Sequence, residues 1–202
     1  MSRKSKRFWV LISDMRVEQT TIPGCYQLFP LINTDNRGSF VKTFHQEIFA
    51  QHGLVTEFSE EYYSVSHKGV LRGMHFQTPP HDHFKLVYCL TGAVLDAIVD
   101  LRVGSPTYNT FETFELSPSL GNMLYIAPGV AHGFYALTDE AIMQYKVTTV
   151  YAPAHEGGIR WDSAGIAWPN ASPILSVRDC GFPALADFHS PFQFGPVAHT
   201  HA

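Results

Sequence analysis

Short apolar stretches with alternating polar residues recur along the chain, and turn-forming residues separate them about every 8 to 12 positions. A period of two places successive side chains on opposite faces of a strand. The pattern therefore predicts strands over residues 24–30, 38–44, 57–65, 70–77, 85–91, 93–101, 108–116, 122–126, 131–137 and 141–150.

The breaks between these strands contain the residues that turns prefer, namely Asn, Asp, Gly and Pro. They fall at residues 33–36, 67–69, 79–80 and 91–92. Residues 46–52 have the pattern of a short helix, and a second helical turn is expected near the C-terminus. Many short strands joined by tight turns predict a mostly β fold with short peripheral helices: a double-sheet jelly roll, an architecture that includes the cupins.

The chain has 202 residues, of which 45% are hydrophobic and 13% aromatic. This length suits one domain with its own core. We expect that domain over residues 22–188, an N-terminal extension over residues 1–21 and a loosely held tail over residues 189–202. The apolar run at residues 8–12 is too short for a signal peptide or a membrane-spanning helix.

Charge and cysteine content narrow the functional classes. The formal net charge is −4 and no basic stripe is present, so we expect no nucleic-acid groove. Three cysteines, Cys25, Cys89 and Cys180, are far apart and form no Cys-x-x-Cys pair. Neither a disulfide framework nor a zinc knuckle is therefore indicated. These features predict a cytoplasmic protein that does not enter a membrane.

Three histidines raise the question of a metal site, since a jelly roll of this type can hold a metal ion. His81 and His83 form a His-x-His pair, and His132 follows in a Pro-Gly-x-x-His turn. The glutamate expected a few residues after the pair is absent, and Lys85 would place a positive charge beside a cation. Two prolines precede the pair, which places it in a loop. We predict neither a metal nor a cofactor.

The most informative stretch is Gly-Val-Leu-Arg-Gly-Met-His-Phe-Gln at residues 69–77, where His75 follows Gly73 in an apolar strand. Seven further motifs occur in a fixed order, at residues 35–40, 85–87, 99–102, 105–107, 131–134, 145–146 and 158–161. Over about residues 22 to 180 this series resembles the nucleotide-sugar 3,5-epimerases typified by dTDP-4-dehydrorhamnose 3,5-epimerase, which are metal-free cupins.

The resemblance implies epimerisation beside a ketone, in which a C–H proton leaves and another returns on the opposite face. It makes His75 the base and Asp179 the carboxylate that orients this histidine. It also makes Lys85 the cation beside the enolate oxygen and Tyr145 the group that returns the proton.

The same resemblance implies a nucleotide-diphosphate sugar as substrate, with Arg72 on its phosphates. It places Arg37 in the neighbouring subunit's site through an exchanged N-terminal strand, which implies a homodimer. His132 is expected near the sugar in a supporting role. Further substrate-binding residues are expected to be Glu60, Tyr62 and Gln77.

Three residues depart from the family pattern. Glu60, Tyr62 and Tyr88 replace amide and guanidinium side chains that are common in relatives acting on thymidine sugars. Such changes alter which ligand fits, because a buried polar group without its partner is costly. The nucleotide, the sugar and the choice between C3, C5 or both therefore stay open.

Each assignment has an ordinary alternative. Without the surrounding motifs, His75 would be a half-buried strand residue, and Lys85, Tyr145 and Arg72 would be edge, interface and surface residues. Asp96 either assists the site or makes a structural hydrogen bond. The alternative function is a repurposed or metal-binding cupin that binds a sugar nucleotide without epimerising it.

Overall fold

The computed structural model describes residues 15–195. Its strands are β1 (Arg16–Gln19), β2 (Tyr26–Phe29), β3 (Ile32–Asp35), β4 (Gly38–Val41), β5 (Glu60–Ser66), β6 (Leu71–Gln77), β7 (Lys85–Thr91), β8 (Val94–Asp100), β9 (Phe111–Leu116), β10 (Met123–Ile126), β11 (Val130–Ala136), β12 (Ala141–Val147) and β13 (Glu156–Gly158). The helices are α1 (Gln46–Gln51) and α2 (Val177–Cys180), with 3-10 turns at Pro153–His155 and Leu185–Asp187.

The strands form two larger antiparallel sheets and one hairpin. One sheet has the order β1-β2-β10-β7-β12-β5, and the other has the order β13-β6-β11-β8-β9. The hairpin consists of β3 and β4. The predicted mostly β, double-sheet fold of the cupin type with short peripheral helices is confirmed.

The main core lies between the two larger sheets. It joins Val87 and Met143 from one sheet to Ile98 and Phe134 from the other, and all of them are buried. Removing each such side chain from water contributes roughly 1.5–3 kcal/mol. Strand β11 is buried along its whole length, which explains its nearly continuous apolar sequence.

The C-terminal segment covers the outer face of the second sheet. Met74 and Phe76 of β6 pack there against Ile159 and Phe192. Their neighbour His75 points to the other face, because side chains alternate along a strand. Ile174 also pairs with Val70 just before β6, with Leu71 donating to the Ile174 carbonyl at 3.0 Å. This pairing holds α2 close to the middle of β6.

A close backbone approach explains the glycine before His75. Gly73 has φ +148°, a region that side chains rarely adopt. A Cβ atom at Gly73 would lie 2.6 Å from the Cα of Gly133 on β11. The pair of glycines therefore lets β6 and β11 approach each other.

Several elements differ from the sequence predictions. Residues 33–36 were expected to break the chain, but most of them belong to β3, an exposed hairpin strand in which polar residues carry no burial penalty. Strands β1 and β13 were not predicted. Strand β1 pairs with β2 before residue 22, and Phe192 is buried beyond residue 188. The rest of the predicted extension and tail, residues 1–14 and 196–202, lies outside the described residues.

Two surface elements leave large side chains exposed. Tyr63 and Val65 are exposed on β5, the edge strand of the first sheet. Phe40 on the β3–β4 hairpin is 63% exposed. Between residues 15 and 195, no helix has the length and apolar character needed to cross a membrane.

Candidate active site

A cavity of about 750 Å³ opens between the strands of the two larger sheets and α2. Its walls include residues from β5, β6, β7, β11 and β12. Every residue that the sequence predicts for the site, except Arg37, lines this cavity: His75, Asp179, Lys85, Tyr145, Arg72, His132, Glu60, Tyr62 and Gln77.

His75 and Asp179 form a hydrogen-bonded pair at the wall of the cavity. The Nε2 atom of His75 lies 2.8 Å from Oδ1 of Asp179. Asp179 is 2% exposed, and its other oxygen accepts from the backbone N–H of Gly73 at 3.4 Å. Its own N–H donates to Oγ of Ser176, which caps the short helix. The carboxylate is therefore fixed on both sides before any ligand binds.

The electrostatics of this pair favour a neutral histidine. Burial is the main reason that the pKa of His75 is lowered, and Asp179 opposes that shift. Burial raises the pKa of Asp179, but its hydrogen bonds to His75, Ser176 and Gly73 outweigh this effect and lower the pKa. A neutral imidazole beside a carboxylate can take up a proton, because the carboxylate stabilises the imidazolium that forms.

Lys85 supplies a buried positive charge beside this pair. Its Nζ atom donates to the backbone oxygen of His75 at 3.2 Å. Burial lowers the pKa of Lys85 to about 8, against the opposing effects of Asp96 and Glu156. The ammonium form therefore still predominates at pH 7, where it can stabilise a developing oxyanion.

A second histidine–carboxylate pair lies across β11 and β8. Nε2 of His132 is 2.8 Å from Oδ2 of Asp96, and both residues are buried. Burial raises the pKa of Asp96, while His132 opposes the shift. His132 lies opposite His75 in the strand register. The structure thus shows the partner of Asp96, which the sequence left undecided.

Tyr145 faces the cavity from β12. Its hydroxyl lies 3.4 Å from Oγ of Ser64, and its ring stacks on that of Tyr62. Burial raises the pKa of Tyr145 well above its usual value. Burial also raises the pKa of Tyr62 to about 12. Both phenols therefore carry their protons at neutral pH, and Tyr145 is suited to donate one.

Two arginines line the same cavity. The Nε atom of Arg72 donates to Oγ of Ser66 at 3.0 Å, and its Nη2 atom donates to the Val65 carbonyl at 3.1 Å. Arg178, which was not predicted from the sequence, contacts Glu156 and Asp179. It directly precedes Asp179, and that adjacency is the signal by which it could have been found.

Two predicted substrate-binding residues hold the loop that follows β12. The Glu60 carboxylate accepts from the backbone N–H of Tyr151 at 2.7 Å. The Gln77 side chain accepts from the N–H of Ala152 at 2.7 Å and donates to the carbonyl of His81 at 2.9 Å. Both residues line the cavity, and both also shape its rim.

Arg37 lies away from the cavity of its own chain. It is on the β3–β4 hairpin, where its guanidinium pairs with Asp35 at 2.6 Å and its side chain is 86% exposed. The sequence-based expectation placed this arginine in the site of a neighbouring subunit. That placement stays a prediction.

The histidines of the His-x-His pair have different surroundings. Nδ1 of His83 lies 2.9 Å from Oγ1 of Thr149, whereas the ring of His81 packs against His155 at 4.5 Å between centres. Within residues 15–195 no group of three or more His, Cys, Asp or Glu side chains is arranged to hold a metal ion. The expectation of a metal-free site stays a prediction.

Comparison with known proteins points to one family. The family model described as dTDP-4-dehydrorhamnose 3,5-epimerase matches residues 19–187. The dTDP-4-dehydrorhamnose 3,5-epimerase of Shigella flexneri is 40% identical over 168 residues, which are 82% of this chain and 93% of that protein. The dTDP-4-dehydrorhamnose 3-epimerase of Streptomyces niveus is 39% identical over 168 residues, covering 82% of this chain and 81% of that protein.

A solved structure gives the same result for the fold. The dTDP-6-deoxy-D-glucose-3,5-epimerase of Legionella pneumophila, solved in complex with dTDP-4-keto-L-rhamnose, matches with a TM-score of 0.85. It is 33% identical, and the match covers 90% of this chain and 100% of that one. Sequence and fold thus agree over most of the chain.

Proposed function

The chain belongs to the dTDP-4-dehydrorhamnose 3,5-epimerase family, and we propose that it epimerises a nucleotide-linked 4-keto-6-deoxyhexose at C3, C5 or both. One observation carries this proposal. The His75–Asp179 pair, the Lys85 ammonium and the protonated Tyr145 phenol line a single cavity. A base, an oxyanion-stabilising cation and an acid are the groups that such a reaction needs.

The reaction begins at a carbon next to the sugar ketone. His75 takes the C–H proton, so that the C–H bond breaks and an N–H bond forms, and Asp179 stabilises the resulting imidazolium. The electron pair moves onto the ketone oxygen to give an enolate, which the Lys85 ammonium stabilises.

The second proton transfer completes the inversion. The Tyr145 hydroxyl donates its proton to the same carbon from the opposite face, and the ketone re-forms. Because burial raises the pKa of this phenol, the phenolate left behind is strongly basic and regains a proton from solvent. His75 then releases its proton, and the site returns to its starting state.

The diphosphate of the substrate would be held by guanidinium groups. Arg72 and Arg178 both line the cavity, and arginine forms paired hydrogen bonds with phosphate oxygens. We propose that Arg37 adds a third such group in a homodimer, reaching the partner's cavity from its exposed hairpin. The exposed Phe40 ring on the same hairpin would be covered by the partner in such a dimer.

The choice of nucleotide, sugar and carbon depends on residues at the rim. Relatives of similar sequence identity to this chain differ in the carbon that their names specify, since one is named a 3,5-epimerase and another a 3-epimerase. Tyr62 and Glu60 line the cavity where the sequence departs from the family pattern. A cytoplasmic location forms part of the proposal and is supported by the three widely spaced cysteines, all with free thiols.

Proton NMR in D2O tests the proposed function. The protein is incubated with 4-keto-6-deoxy sugar nucleotides carrying thymidine, cytidine or guanosine, and His75→Ala serves as the inactive control. Deuterium at C3, C5 or both, together with an epimerised product, would support the proposal and identify the carrier. If no carrier gives deuterium with the wild-type protein, the proposed function is wrong, and a binding role without epimerisation takes its place.

A further inference from the structure

Arg178 contacts both members of the His75–Asp179 pair. Its Nε atom donates to Oδ1 of Asp179 at 3.3 Å, and its Nη2 atom lies 3.2 Å from Nε2 of His75. Its Nη1 atom contacts Oε1 of Glu156. The guanidinium thus shares the carboxylate oxygen that His75 also uses.

This position opposes proton uptake by His75. A guanidinium has only donors and keeps its charge at any ordinary pH, so it cannot accept a hydrogen bond from the imidazolium. Protonation of His75 would place a second positive charge next to Arg178, while Asp179 divides its negative charge between the two. Arg178 is indeed among the groups that lower the pKa of His75, after burial and Lys85.

The other charged groups around His75 are held in place. Lys85 is buried and bonded to the His75 carbonyl, while His132 on β11 is bonded to Asp96 on β8. Phe182 presents only an uncharged ring. On β13, Glu156 contacts Arg178 rather than His75.

Arg178 differs from these groups in its exposure to solvent. Its side chain is 48% exposed, and it lies on the wall of the same cavity as Arg72. Each of its two carboxylate partners offers it a single oxygen. A diphosphate offers several anionic oxygens in a geometry that matches the guanidinium fork, so it competes well for this side chain.

Building on the proposed function, we propose that Arg178 is a positioning residue that restrains His75 in the empty site and moves to the substrate diphosphate on binding. When Arg178 moves away, Asp179 interacts with His75 alone. The histidine then becomes a stronger base, because the carboxylate charge is no longer shared with a guanidinium. Binding energy from the diphosphate, which does not react, thereby promotes the chemical step at the sugar. A 4-keto sugar without its nucleotide diphosphate would lose this activation as well as its affinity.

The test uses inorganic pyrophosphate as the probe and the pKa of His75 as the readout. The full-length protein is labelled with 15N-histidine, and the His75 resonance is assigned by its loss in His75→Ala. In the wild type, saturating pyrophosphate should raise the pKa of His75 by about one unit, the size expected when a neighbouring like charge is removed. In Arg178→Gln, the pKa should already be raised without pyrophosphate, and the further rise should be smaller.

Two further variants serve as controls. Arg178→Lys keeps the charge without the fork and should resemble the wild type in the absence of pyrophosphate. Arg160→Gln removes an exposed arginine paired with Asp162 and should match the wild type throughout. The amide spectrum of each variant shows that it is folded.

Three results would overturn the inference. They are an unchanged His75 pKa in free Arg178→Gln, an equal pyrophosphate response in this variant and the wild type, and no response in the wild type. This readout does not depend on turnover. A protein that shows the predicted shifts but exchanges no substrate proton would contradict the proposed function and leave the link between Arg178 and His75 intact.

Discussion

The rings of Tyr62 and Tyr145 stack across β5 and β12, with centres 4.9 Å apart and planes 16° from parallel. The two residues are direct partners in the strand register. Tyr62 therefore covers one face of the phenol that is proposed to return the proton. The ring of His132 approaches Tyr145 edge-on, with its centre 6.1 Å away. Together these contacts hold the phenol in one orientation.

Tyr62→Ala should lower the pKa of Tyr145 toward that of an exposed phenol. The main reason for the raised value is burial, and the substitution opens the ring to water. The lost stack should also reduce the free energy of unfolding by about 1 kcal/mol. Tyr62→Phe keeps the ring and should retain most of both effects. A 13C-tyrosine NMR titration and urea unfolding measure them, and an unchanged Tyr145 pKa in Tyr62→Ala would argue against shielding by the stack.

The dependence of kcat/KM on pH should be bell-shaped. His75 must be neutral to take a proton, and its pKa is lowered from 6.5 mainly by burial, so activity should fall only below about pH 6.5. Lys85 must be charged, and its pKa of about 8 places the loss of activity above about pH 8. In Lys85→Arg the alkaline decrease should disappear, because a guanidinium stays charged there. If this variant keeps the same alkaline decrease, another group is responsible.

His83 should make the protein less stable in acid. Burial lowers the pKa of His83 to about 3 from a usual value of 6.5, with Lys85 adding to the shift. Between these two values the unfolded chain binds more protons than the folded protein, so the free energy of unfolding rises with pH. The free energy of unfolding therefore decreases as the pH falls below 6.5, by up to about 1.4 kcal/mol per pH unit.

His83→Gln removes this titration while keeping a side chain that can bond to Thr149. Urea unfolding at pH 7 and at pH 4.5 should show a smaller difference in this variant than in the wild type. An exposed histidine variant, His67→Gln, provides the control and should behave as the wild type does. If the free energy of unfolding changes equally between pH 7 and pH 4.5 in all three proteins, His83 does not contribute to the loss of stability in acid.

Mixed dimers test whether Arg37 acts in the partner's cavity. His75→Ala and Arg37→Gln should each have low activity alone. A mixed dimer contains one cavity with His75 from one chain and Arg37 from the other, so co-expression should restore about a quarter of wild-type activity per chain in a random mixture. If Arg37 acts in its own chain, mixing restores nothing.

The sequence predicted the strands best where most of their side chains are buried. Strands β6, β7 and β11 each combine apolar periodicity with a turn before them, and their bounds agree with the structure to within a residue. Strand β3 was wrongly taken as a break because both of its faces are exposed. Strand β13 has only Glu-Gly-Gly and pairs through its backbone alone, so no side-chain pattern marks it.

The site could be predicted only in part. Residues such as Lys85 and Tyr145 lie on regular strands within family motifs, so their presence in the cavity follows from the sequence. Asp179 is separated from His75 by 104 positions, and its place beside this histidine depends on the Val70–Ile174 pairing. Arg178 lies in a short helix after an irregular segment, where no periodicity indicates the direction of a side chain.

In the proposed reaction, His75 removes a proton and Tyr145 returns one from the other face. Comparing His75→Ala with Tyr145→Phe in D2O, on whichever sugar nucleotide the wild type epimerises, tests it most directly. No deuterium should enter the substrate with His75→Ala. With Tyr145→Phe, deuterium should enter without inversion, because the base still works while the opposite acid is missing. Full deuterium incorporation by His75→Ala would rule out His75 as the base.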